Sequence, residues 1–197
     1  MPATASETTA PHLQTGHLKL VPFSARHLTA TYVGWLNDPS VVRYSEQRHR
    51  SHSLQSCANY VEQFTTAGNF FWAIETAEAI HIGNITASLD SKNRLADIGI
   101  LIGDPNARGK GHGLAAWGGV LGYLQDHPGI DKVTGGSLAN NTPMLSIMDK
   151  SGMVPDGVRH RHYLWEGQKI DIIYRALHCQ KHDQTARSGL GHSSILS

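Results

Sequence analysis

Gly103-Asp104-Pro105-Asn106-Ala107-Arg108-Gly109-Lys110-Gly111-His112-Gly113 decides how this 197-residue chain is read. The β-rich run Arg94–Ile102 (RLADIGILI) precedes it. After it, Leu114, Trp117, Leu121 and Leu124 recur at helical spacing, one apolar stripe of a helix from about Gly111 to Asp126. His127-Pro128-Gly129 stops that helix, and Ile130–Leu138 (IDKVTGGSL) reads as the next strand. Strand, helix, strand is a parallel crossover unit. The loop at its first corner carries glycines at 109, 111 and 113. Glycines in alternate positions let backbone N–H groups converge and let a ligand approach with no Cβ in the way. The helix start adds about half a positive charge, and Arg108 and Lys110 add full ones. The combination describes an anion site suited to a phosphate ester. The plainer alternative is a glycine-rich turn with solvated basic residues. No Gly-Lys-Ser/Thr occurs, so this is not a Walker loop, and no Gly-x-Gly-x-x-Gly lies in an early βαβ unit.

Working outward toward the N-terminus, Phe70–Glu75 (FFWAIE), Ile80–Leu89 and Arg94–Ile102 are three strand-like runs with short connections, an antiparallel meander. Before them, Leu54, Ala58, Val61 and Phe64 mark a helix closed by Gly68, and Leu28, Tyr32, Trp35 and Leu36 mark another, ended by Asn37-Asp38-Pro39. His17–Phe23 is a first strand. Toward the C-terminus, Asn141-Thr142-Pro143 opens a helix that Gly152 ends, and Met153–His178 reads as strands with a hairpin turn at Glu166-Gly167-Gln168. The expected fold is α/β: a mixed sheet, antiparallel first and then a parallel β-α-β crossover, flanked by helices. Residues 1–16 and 179–197 read as flexible tails around one domain, 17–178.

Composition bounds the function. Hydrophobic residues make up 40% and charged residues 17%, which suits a globular chain. A formal net charge of +1 gives no argument for a nucleic-acid partner. No apolar run approaches the ~18 residues of a membrane span, so no membrane partner is expected. The opening residues lack a signal-peptide core and are not Arg-rich, and two cysteines make no disulfide framework. A cytoplasmic setting is therefore the expectation. His160 and His162 share a strand face, yet no further ligand accompanies them, so no metal is expected. Oligomeric state is not legible, and a homodimer is compatible with the sequence.

Two motifs now stand in register. Arg108-Gly-Lys-Gly111-His-Gly113 resembles the Arg/Gln-x-x-Gly-x-Gly/Ala signature of the GNAT superfamily of N-acetyltransferases. Asn141-Thr-Pro-Met144-Leu-Ser-Ile-Met148-Asp-Lys150-Ser-Gly152-Met153 is similar to that superfamily's Asn-x-x-Ser/Ala helix ending in Lys-x-Gly-Phe. Trp35-Leu-Asn37-Asp38-Pro39 followed by Val42-Arg43-Tyr44 resembles the branch of ribosomal-protein N-terminal and small-amine acetyltransferases.

The resemblance implies acetyl-CoA as acyl donor, lying where the strand ending at Ile102 splays from the strand starting near Ile130. Backbone groups of Ile100, Leu101 and Ile102 would pair with the pantetheine arm as an added strand. The loop of Arg108, Gly109, Lys110, Gly111, His112 and Gly113 would hold the pyrophosphate, and Asn141 would reach the arm or the thioester. Asp97 stands where the branch often carries a Glu and would take a proton from the amine, directly or through water. Its alternative is an Arg partner or a solvated strand residue. Trp35, Tyr44 and Glu46 would line the acceptor pocket. Met148 stands where many members place a Tyr acid, and Met144 replaces the motif's Ser. The implied reaction is N-acetyl transfer to a primary amine by direct attack, on a small molecule such as an amino sugar. The alternatives are a protein N-terminus and a CoA-binding module without catalysis.

Overall fold

The computed structural model describes residues 9–179. Eight strands form one sheet in the order β1-β2-β3-β4-β5-β6-β8-β7. β1 (Leu13–Thr15) and β2 (Leu18–Pro22) turn about Gly16, whose φ of +57° suits glycine. α1 (Ala30–Asn37), the one-turn α2 (Pro39–Val42) and α3 (Leu54–Thr66) follow, then the meander β3 (Phe70–Glu75), β4 (His81–Asp90) and β5 (Leu95–Ile102). The crossover runs through α4 (His112–Asp126) to β6 (Lys132–Leu138), and α5 (Thr142–Lys150) leads to the hairpin β7 (Val154–Trp165) and β8 (Gln168–His178). β5 and β6 are parallel and every other neighbouring pair is antiparallel. The expected mixed sheet is thus present.

β3 is buried at every position, which its apolar run Phe70–Ile74 reflects, and Glu75 closes it as a buried carboxylate. Alternate residues serve two layers. Phe70, Trp72 and Ile74 pack with Trp117, Val120, Leu121 and Leu124 of α4. Phe71 and Ala73 pack with Tyr32 and Trp35 of α1 and Cys57 of α3. Each large buried side chain contributes about 1.5–3 kcal/mol by leaving water.

The tail expected over 1–16 is corrected in part. Leu13–Thr15 pairs with Leu18–Leu20, Ala10 is buried, and the Trp72 indole donates to the Pro11 carbonyl at 2.7 Å. The Ala/Ser/Thr-rich opening hides a three-residue strand too short to show a period. At the other end, the Cys179 N–H donates to Asp131 at 2.9 Å. Residues 1–8 and 180–197 of the expected tails lie outside the described residues.

Candidate active site

β5 and β6 pair only from Leu95↔Lys132 to Asp97↔Thr134. Beyond that point β5 keeps β4 on one side, through Gly83↔Ile102, and β6 turns to β8. The sheet therefore forks, and one edge of β5 from Ile98 onward is unpaired. Ile100 and Leu101 line a cavity beside it. Ile102 also packs into the α4 layer, and its carbonyl already accepts from Arg108 Nε at 3.2 Å.

At the far end of the fork, the phosphate-type loop takes shape. Asp104 caps a short 3-10 turn, Pro105–Ala107, by accepting from the Asn106 N–H. Gly109 and Gly111 have φ of +72° and +82°, and a Cβ on either would project into open space. Gly111 is the N-cap of α4 and no side chain caps it. Among the described residues, no backbone N–H from Gly109 to Leu114 donates to a protein acceptor. Several convergent donors at the start of a 15-residue helix make an anion cradle. Gly113 serves packing instead: a Cβ there would come 3.1 Å from Ile147 of α5.

The basic residues divide. Lys110 is exposed at the cradle. Arg108 folds back and donates to the carbonyls of Ile102 and Gly103, so it ties the loop to the end of β5. His112 packs its ring on His17, centroids 4.9 Å apart, and its buried Nδ1 has no partner. Asn141 caps α5, its Oδ1 accepting from the Met144 N–H at 3.4 Å. Its neighbour Asn140, which the sequence reading passed over, holds a buried Oδ1 without a partner.

Asp97 sits where the two strands part. Its Oδ2 accepts from the Thr134 hydroxyl at 2.7 Å. The carboxyl is open to solvent yet ringed by protein. Desolvation raises its pKa above the ordinary carboxylate value, with the Thr134 hydrogen bond opposing. Asp97 opens on a pocket of about 190 Å³ that also holds Tyr44, Glu46, Ser137, Tyr163 and Tyr174. Gly136 matters here: a Cβ would come 2.8 Å from the Tyr174 ring. Tyr163 and Tyr174 were invisible as site residues in the sequence. They arrive through the sheet order, β8 pairing with β6 at Gly136↔Tyr174 and β7 pairing with β8 at Tyr163↔Ile170.

A second cavity, about 330 Å³, lies on the other side of the segment 44–47, under α1 and α3. Ser45 and Gln47 face this cavity, whereas Tyr44 and Glu46 face the Asp97 pocket. That segment is clamped to the tip of the β7–β8 hairpin. Tyr44 stacks on Trp165 at 5.8 Å with planes 12° apart, the Trp165 indole donates to the Arg43 carbonyl, and Arg48 donates to the Leu164 carbonyl. Glu46 is also paired with Arg48 at 3.0 Å.

Trp35 is a correction. It lines neither pocket and is buried against Gly103, where a Cβ would fall inside its indole. The large ring serves packing between α1 and the end of β5. Met148 is fully buried, its sulfur under Gly135, so the residue at the usual Tyr position faces the core. His160 and His162 do not form a pair: His160 Nδ1 meets Asp171 at 3.0 Å, while His162 packs on Tyr163. Among the described residues no three metal-ligating side chains gather. No helix there is long and apolar enough to cross a membrane.

A model of the acetyltransferase (GNAT) domain matches residues 17–154. No curated protein matches the sequence. Solved structures superpose well at low identity. A spermidine N-acetyltransferase from Vibrio cholerae, in complex with CoA and spermine, gives a TM-score of 0.74 at 17% identity, over 83% of this chain and 96% of that one. A ribosomal-protein-S5-alanine acetyltransferase from Vibrio fischeri gives 0.73 at 14%, over 86% and 97%. A GNAT-family acetyltransferase from Bacillus anthracis gives 0.73 at 19%, over 85% and 98%. At such identities the superpositions speak for the fold alone. The family model spans well over half the chain, from the first long strand past the forked crossover, and on that match the chain belongs to the GNAT acetyltransferase family.

Proposed function

We propose that the chain is an acetyl-CoA-dependent N-acetyltransferase acting on the primary amine of a small molecule. The observation that carries this is the fork: strand pairing stops at Asp97↔Thr134, and Asp97 stands at the opening with a raised pKa. The residues present fit the donor. The unpaired edge of β5 can hydrogen-bond an extended amide-bearing arm. The bare N–H groups at the start of α4, with Lys110 beside them, suit its pyrophosphate. A CoA complex in relatives such as the spermidine acetyltransferase is in keeping with this.

The acceptor arrives protonated, since a primary amine has a pKa near ~10.4. Asp97 takes that proton, directly or through water. The freed lone pair attacks the thioester carbon, the carbon–sulfur bond breaks, and the thiol leaves. A thiol of pKa near ~8.5 can leave as thiolate without an acid. Tyr44, Ser137, Tyr163 and Tyr174 bring hydroxyls to the same pocket, whereas Met148 supplies none. Two half-open cavities of about 190 and 330 Å³, divided by a clamped segment, match the size of a small acceptor.

Calorimetric titration of CoA tests the donor site. Gly111→Val puts a branched side chain into the cradle, and CoA affinity should fall at least tenfold while the protein stays folded. Steady-state kinetics test the base. Asp97→Asn should lower kcat about 10²–10⁴-fold with CoA affinity unchanged. Unchanged CoA affinity in Gly111→Val, or kcat within a few-fold in Asp97→Asn, overturns the respective assignment.

A further inference from the structure

The 330 Å³ chamber under α1 and α3 is chemically unlike the pocket around Asp97. Its walls carry three aromatic rings, Tyr32, Tyr60 and Phe71. No Asp or Glu lines it, and its one charged side chain is Arg50, which pairs with no carboxylate among the described residues. Two polar atoms in it are buried without a partner, Asn84 Oδ1 and His52 Nε2. A buried polar atom left unpaired destabilises the fold, because it has lost water and gained no partner. Both atoms lie within the wall, and a small side-chain rotation of either would turn it toward a hydrogen-bond donor seated in the chamber.

We infer that this chamber receives the non-reacting half of the acceptor, and that this half is an uncharged aromatic ring bearing a hydroxyl or N–H. The inference rests on the acetyl-transfer reading and names its substrate class. A polyamine is disfavoured. Burying an ammonium beside Arg50 with no carboxylate in reach leaves a charge unpaired. An amino sugar is disfavoured as well: Ser45, Gln47, Ser51 and Thr86 also line the chamber, but most of its exposed wall is apolar. The carboxylates lie elsewhere. Asp97 and Glu46 are on the far side of the 44–47 partition, where the ammonium end belongs. Gly99 lines the chamber and Asp97 lines the neighbouring pocket, two residues apart on one face of β5. At ~3.3 Å per residue the two sites are about 7 Å apart, the reach of a short aliphatic chain between ring and amine. The acceptor class is thus a primary amine on a short chain joined to a hydrogen-bonding aromatic ring.

The test compares tyramine, phenethylamine, glucosamine and spermidine as acceptors for the native protein, by kcat/KM with acetyl-CoA. Tyramine should be preferred, by about tenfold over phenethylamine for its extra hydrogen bond and by more over the other two. Asn84→Leu should erase the advantage of tyramine over phenethylamine. Asn84→Asp should raise spermidine relative to tyramine. CoA affinity, measured on each variant, reports that it is folded. A preference for spermidine or glucosamine, or an unchanged tyramine-to-phenethylamine ratio in Asn84→Leu, overturns the inference. If no amine is acetylated, calorimetry of tyramine against the native protein with CoA present decides. Binding that Asn84→Leu abolishes upholds the chamber and places the failure on the transfer reading; no binding overturns the inference.

Discussion

Asp97 carries two opposed demands. Its raised pKa means that the folded protein holds the charged carboxylate less favourably than the unfolded chain does. Above the ordinary carboxylate range the group therefore works against stability, and removing its charge relieves the fold. Asp97→Asn should melt no lower than the native protein at pH 7 while losing turnover; a clear fall in Tm contradicts the assigned desolvation. Met148 makes the complementary case. Installing the superfamily's Tyr there would drive a ring into a site that is fully buried beneath Gly135. Overpacking of this kind costs about 1–3 kcal/mol. Met148→Tyr should lower the urea midpoint and leave kcat no higher; a raised kcat would mean that the position does face the reaction.

At the scale of elements, the buried turn before α1 sets the acid limit of the fold. Glu75 at the end of β3 meets Arg26 at 2.7 Å and His27 at 3.0 Å. His27 Nδ1 accepts from the Ser24 N–H, so Nε2 carries the proton toward Glu75. His81 packs among Phe23, His27, Tyr32 and Trp35, and burial pushes its pKa down to about 4. Burial also lowers that of His27. Burial disfavours the charged form of both rings in the folded state, whereas the unfolded chain takes up protons below about 6.5. Stability is therefore full above that pH and declines from about 6.5 toward 4, by up to roughly 3 kcal/mol from His81. Urea midpoints across that window should fall with pH, and the slope should shrink in His81→Gln. An unchanged slope contradicts this account.

The same scale shows what the sequence could tell. α3 and α4 were legible from repeating apolar stripes, α3 closing at Gly68 and α4 opening at Gly111, and α5 from its Asn141-Thr142-Pro143 start. β1 was not, because three residues show no period. Asp38 read as a stop; it also starts α2 by accepting from the Ser40 N–H. The cradle was legible, since glycine spacing is local. Trp35 was not, because an aromatic beside a turn reads alike whether it lines a pocket or seats on a distant glycine. Tyr163, Tyr174 and Asn84 were illegible for the same reason: their neighbours come from sheet order, which no local pattern encodes.

At the scale of the molecule, two of the contacts between the halves of the chain shape the site. The fork joins the meander to the C-terminal strands, and the clamp joins residues 43–48 to 163–166. Arg43 spans the clamp, 4.8 Å from the Trp165 ring and 3.3 Å from Glu166. The partition between the two cavities hangs from it. Trp165→Ala should raise the acceptor KM several-fold with acetyl-CoA affinity unchanged, because the loosened wall shapes only the acceptor side. A matching loss of acetyl-CoA affinity would contradict that separation.

Both contacts serve one claim, that the fork passes an acetyl group to an amine beside Asp97. The direct measurement is mass spectrometry of the amine panel after incubation with acetyl-CoA and protein, in parallel with Asp97→Asn. The native protein should form an N-acetylated amine, and the substitution should reduce the initial rate about 100-fold or more. An amine left unmodified while acetyl-CoA binds with full affinity would contradict it and make the fork a binding site without transfer.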